Sequence, residues 1–174
     1  WHTVANEQDN STKTIAQGRY PMKVREHKDA LNEALGAFEN CLEAPVVPGE
    51  LPQWCRNATL ACEEVASVLA EVIAQRHPRT FDQIMEEDPA LAARIDEMRK
   101  TDEQLTEQME QVKTYFQHLS ELGSEIEPNE AKVEEQVEKA VSKGLEFVLA
   151  VRKQESAITT WYLEALERDR GTVD

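Results

Sequence analysis

From Leu91 to Leu119 apolar residues recur at the three-and-four spacing of a single helix face. They are Leu91, Ile95, Met98, Leu105, Met109, Val112, Phe116 and Leu119, and Asp102 stands in the same row. A carboxylate in an apolar row loses its water on folding, so it needs a hydrogen bond, a counter-charge or a metal. The other long helical segments repeat the pattern. Val24, Leu31, Ala34 and Phe38 share a face with His27, and Val148, Val151, Ile158 and Tyr162 share one with Glu155. Ala61, Val65, Val68 and Val72 lead to Gln75, with Glu71 beside it. One inward polar residue per helix predicts a polar site inside a four-helix bundle.

Punctuation residues set the boundaries. Residues 1–19 carry no sustained apolar period and read as a polar arm, followed by a single bundle domain over 20–171. The first helix is predicted to start near Pro21, suited to a first turn, and to reach Leu42. Ala44 to Gly49 holds two prolines and forms a stiff connector. The second helix is expected from Pro52 to Arg76, where His77-Pro78 ends it, with a short helical piece over Thr80 to Glu86. Asp88-Pro89 then supplies a cap and a first helical residue. The third helix runs to Leu122, with Gly123 as its C-terminal cap, and the fourth from Asn129 to Arg168. Gly144 marks a bend or a close helix contact inside the fourth, and Gly171 falls just beyond it. Short connections favour an all-α, up-down-up-down four-helix bundle. In that arrangement Asp102 and Glu155 lie at one level, each roughly 20 Å from the same end at 1.5 Å per residue.

Composition narrows the function classes. The chain has 174 residues, 30% charged and 40% hydrophobic, with only 6 glycines, as expected of a helical domain with a real core. Its net charge of −15 repels phosphate backbones and anionic membrane surfaces, so neither nucleic acid nor membrane is an expected partner, whereas a protein partner remains open. No apolar run is long enough to span a bilayer. No signal peptide is visible, a segment before Trp1 is left open, and the expected location is cytoplasmic. Cys41, Cys55 and Cys62 are expected as free thiols, although Cys41 and Cys55 flank the first connector, where a disulfide is an alternative. Asn57-Ala58-Thr59 matches a glycosylation sequon but falls within a predicted helix and reads as chance. No nucleophile–base pair, phosphate loop or dinucleotide fingerprint is present, so the chain does not read as an enzyme.

Three stretches carry a resemblance: Val24-Arg25-Glu26-His27-Lys28-Asp29-Ala30-Leu31, Ile84 to Leu91 with Ile95, Met98 and Thr101-Asp102, and Leu149 to Ser156 with Glu164-Ala165 and Asp169-Arg170-Gly171. Over residues 20 to 171 the layout resembles the bacterial hemerythrin-like, or HHE cation-binding, family. Its members are four-helix bundles that hold a di-iron centre with histidines and carboxylates. The resemblance implies that His27 matches the first-helix ligand and Glu155 a carboxylate ligand. The family has histidine at the places of Asp102 and Val151, and a histidine with a glutamate four residues later on the second helix. Counting back from Pro89 lands there on Glu71 and Gln75, while His77 precedes Pro78 and falls beyond the apolar stripe.

Two readings of His27, Glu71, Asp102 and Glu155 follow. In one the residues form a satisfied polar network, Asp102 paired most simply with His27, in a non-catalytic binding, sensing or interaction module that holds no cofactor. In the other they rebuild an oxygen-rich iron or manganese site with oxygen or redox chemistry.

Overall fold

The computed structural model describes residues 22–47, 49–122 and 130–168, with side chains over 29–47, 49–122 and 133–168. The polar arm over 1–19, the start at Pro21, the Gly123 cap, the start at Asn129 and Gly171 lie outside the described residues, as does the side chain of His27. The described chain is helical, without a strand. Helix α1 spans Met22–Glu43, α2 Leu51–Glu71, a π turn Val72–Arg76, α3 His77–Glu87, a 3-10 turn Pro89–Leu91, α4 Ala92–Leu122 and α5 Glu130–Arg168. Because α2, the π turn and α3 follow one another without a gap, these segments form four long helical elements.

Over their described side chains α1, α4 and α5 bury the faces that their spacing marks, whereas α2 buries Cys55, Ala58, Cys62, Val65, Leu69 and Val72 and leaves Ala61 and Val68, expected inward, only half-buried. On α1, Leu31, Ala34, Leu35, Phe38 and Leu42 are buried, and on α4 the whole row from Leu91 to Leu119 is buried, Asp102 included. The α1–α2 connector turns at Gly49, whose φ of +87° favours glycine, and Glu50 N–H donates to the Val47 carbonyl at 2.9 Å. Pro52 sits in the first turn of α2, as expected. Asp88, extended at φ −141°, ends α3, and its carboxylate accepts from Ala90 N–H at 3.0 Å, so the Asp88-Pro89 start signal holds.

α1 packs on α2, α2 on α4, α4 on α5 and α5 on α1, around a shared core. Phe38 meets Phe116 edge-on at 5.6 Å between ring centres, and Trp54 leans on Phe116 while its Nε1–H donates to the Cys41 carbonyl at 3.1 Å. Gly144 is a close contact: a Cβ there would lie 2.6 Å from Leu42 Cδ1 and 3.3 Å from Phe38 Cζ, so the missing side chain lets α5 approach α1.

One expectation fails. His77-Pro78 does not end the second helix. Arg76 and His77 keep helical dihedrals, and His77 N–H reaches back five residues to the Val72 carbonyl. Proline in an unbroken α-helix lacks a donor and crowds the carbonyl four residues back; the wider π turn just before Pro78 relieves both problems. The short helical piece expected over Thr80 to Glu86 is thus the continuation of α2.

Candidate functional site

The buried core divides into two apolar clusters. The larger contains Val72, Leu105 and Val151; the smaller contains Phe81, Ile84, Leu91, Ile95, Met98, Ile158, Tyr162 and Ala165. On three elements the residues between the clusters are polar and buried: Arg76, His77 and Thr80 after Val72, Asp102 between Met98 and Leu105, and Gln154 and Glu155 between Val151 and Ile158. They form one polar layer across the molecule.

His77 is its hub, only 1% exposed. Its Nδ1 lies 2.8 Å from Asp102 Oδ2 and its Nε2 2.8 Å from Glu155 Oε1. With both ring nitrogens protonated, the imidazolium donates to a carboxylate on each side. Arg76 Nη2 donates to the same Glu155 oxygen. Arg76 Nη2 also lies 3.1 Å from His77 Nε2, where two donors converge on one carboxylate. Gln154 Nε2 donates to Asp102 Oδ1 and to the Met98 carbonyl, each at 2.8 Å, which fixes the second Asp102 oxygen. Thr80 Oγ1 donates to the Arg76 carbonyl at 3.1 Å. Arg76 Nε is buried without a partner among the described residues.

Electrostatics follow from this geometry. Burial alone pulls the His77 pKa down, but the hydrogen bonds and charges of Asp102 and Glu155 outweigh it and hold the imidazole above the ordinary histidine value. Burial alone raises the Glu155 carboxyl; His77 and Arg76 reverse this and hold it below the ordinary glutamate value. With His77 charged, two cations and two anions share the layer and their charges cancel. Such a layer ties three elements together at one level and penalises any slip along the helix axes.

Of the residues expected at a site, the structure brings Asp102 and Glu155 together, joined through His77 rather than directly. Glu71 and Gln75 are exposed. The placement of His77 beyond the apolar stripe is corrected: it is the most buried member of the layer. His118 is exposed.

Arg76 and His77 carry a sequence signal in the phase of the apolar row. Cys55, Ala58, Cys62, Val65, Leu69 and Val72 alternate steps of three and four. Continued without a break, that row would next place Arg76, Arg79, Gln83 and Glu86 inward, three charges and an amide. Beyond Arg76 the buried residues His77, Thr80 and Ile84 each fall one position later, with Phe81 buried beside Thr80. A one-residue slip in an apolar row marks an inserted residue, here the π turn, and turns two consecutive residues inward at the slip.

Among the described residues no group of three or more His, Cys, Asp or Glu side chains is arranged to hold a metal ion. The donor chemistry gives the reason. Asp102 and Glu155 face opposite nitrogens of one ring, so their lone pairs do not converge, and a guanidinium lies against Glu155. Cys41, Cys55 and Cys62 are free, so the alternative disulfide between Cys41 and Cys55 is not formed. Burial pushes Cys55 up to about 11 and Cys62 up to about 12, which leaves both as unreactive neutral thiols. Comparison with protein-family models, with curated proteins and with solved structures finds no match to this chain.

Proposed function

We propose that the chain is an up-down-up-down bundle of the hemerythrin-like kind whose core site is closed by its own cations, and that it works as a non-catalytic binding, sensing or interaction module toward a protein partner. One observation carries the reading. The imidazole of His77 lies between the two inward carboxylates and engages both, where a metal-binding bundle would present open lone pairs. Arg76 supplies the second positive charge. The cyclic packing of four helical elements with short connectors supports the up-down order. No described helix is long and apolar enough to cross a membrane, and the net charge of −15 disfavours nucleic acid, so a protein with a basic surface is the partner class that fits. Free, unreactive thiols agree with a reducing, cytoplasmic setting.

Metal analysis tests the proposal. Protein produced in medium supplemented with iron and manganese, and purified without chelator, should carry far less than one metal ion per chain, and chelator should leave its unfolding midpoint unchanged. One or more iron or manganese ions per chain, lost in Asp102→Leu, would replace this reading with that of a carboxylate-rich metalloprotein.

A further inference from the structure

We propose that the end of the molecule beyond the polar layer unfolds and refolds locally as one cooperative unit, bounded at the π turn, while the main core stays folded. The unit comprises α3, the 3-10 turn, the first part of α4 and the last part of α5. Three independent features of the structure meet at its boundary.

The first is the division of the core. Val72 and Phe81, Leu105 and Met98, and Val151 and Ile158 belong to different clusters, and the residues between them are polar. The layer therefore divides the apolar contacts into two sets, so the contacts on one side can be lost to water without exposing those on the other.

The second is the imbalance between the two sides. Among the described residues the smaller cluster holds 8 buried apolar residues and the larger 21, so within them less apolar contact holds the smaller side. Its peripheral ties are weak: Arg168 pairs with Asp88 at 2.9 Å, with the arginine half exposed, and Arg94 lies over the Trp161 ring at the surface.

The third is the backbone path. The connection from α2 into the unit runs through a turn closed by a bond five residues long, and then Pro78, which donates nothing to the helix. Dihedral change at this point breaks fewer hydrogen bonds than anywhere in an unbroken α-helix. Opening of the unit uncovers Asp102 and His77 to water.

Hydrogen exchange of the intact chain, followed by mass spectrometry through a urea series below the unfolding transition, tests this. Amides over 79–87, 92–98 and 158–168 should share one opening, at least about tenfold more frequent than that of 58–72, 105–119 and 140–151, with a smaller urea dependence. A single opening constant and urea dependence shared by both sets would overturn the proposal. Val65→Ala, in the main core, gives a second reading. It should speed exchange of the core set by about tenfold or more and leave the end set unchanged, because the end opens without breaking that contact. Equal acceleration of both sets would show that the end opens only with the whole molecule. If Val65→Ala does not fold, the urea dependence in the unsubstituted chain decides alone.

Discussion

At the residue scale the layer is a matter of charge balance. Asp102→Leu leaves two cations facing one carboxylate and frees Gln154; His77→Leu leaves two carboxylates facing one cation. Each single change should cost about 3 kcal/mol in denaturant unfolding. The double variant retains Arg76 against Glu155, balanced again, and should recover at least about 1 kcal/mol of the summed loss. Additive costs would show that Asp102 and His77 do not act together. The pH dependence has a definite sign. Because the His77 pKa is raised in the folded state, its contribution is complete below the ordinary histidine value near 6.5 and disappears as pH rises through the folded value. Glu155 is depressed, so its contribution is complete above the ordinary glutamate value and disappears as pH falls through its lower folded value. Stability should therefore be greatest in mildly acidic solution and decline above pH about 6.5. Urea midpoints from pH 5 to 9 test this, and the alkaline decline should shrink in the Asp102→Leu, His77→Leu double variant. A midpoint that rises across that range would refute the assignment.

At the scale of the element, two helix positions hold a balance that substitutions can move. The π turn holds one residue more than an α-helical turn. Removing the exposed Ala74 restores a continuous three-four row that still turns His77, Thr80 and Ile84 inward, but it places Pro78 in a regular α-helix. The deletion should cost about 3 kcal/mol, and adding Pro78→Ala should recover most of that. A deletion that costs nothing would mean that the π turn does not serve to accommodate the proline. Gly144 shows the opposite balance. Alanine is worth about 1 kcal/mol more than glycine within a helix, yet its Cβ would press on Leu42 and Phe38. Gly144→Ala should be destabilising by about 1–2 kcal/mol in the native background. In a Leu42→Ala background, where the obstructing methyl is gone, the same change should stabilise. Thermal or urea unfolding of the four proteins reads the sign in each background.

For the whole molecule, the net charge of −15, counted with neutral histidines, opposes compaction at neutral pH. Exposed pairs such as Arg152 with Glu39 at 2.7 Å offset little of this repulsion. Raising salt from about 10 mM to about 300 mM shortens the screening length from about 30 Å to below 10 Å, which weakens repulsion across the surface and leaves the buried layer nearly untouched. The urea midpoint should rise with salt. A fall would mean that surface ion pairs outweigh the repulsion.

Much of this architecture is legible in the sequence because helix periodicity is local. The α4 row, including Asp102, and the α5 row, including Glu155, could be read from spacing of three and four alone, and Asp88-Pro89 marks the start that the structure shows. These features depend on which residues lie within one or two turns of each other. Spacing alone does not reach Arg76 and His77, because Pro78 reads as a stop and an unbroken count back from Pro89 selects Glu71 and Gln75, which are exposed. The helix continues there only because a π turn takes up one residue, and the apolar faces of α4 and α5 reward that phase by burying Phe81 and Ile84. The partners within the layer are more remote still. His77 meets Asp102 across 25 residues and Glu155 across 78. Spacing along one helix tells which side chains turn inward. Which inward cation meets which inward carboxylate is set by how separate helices align along their axes, and that is decided only when the core packs.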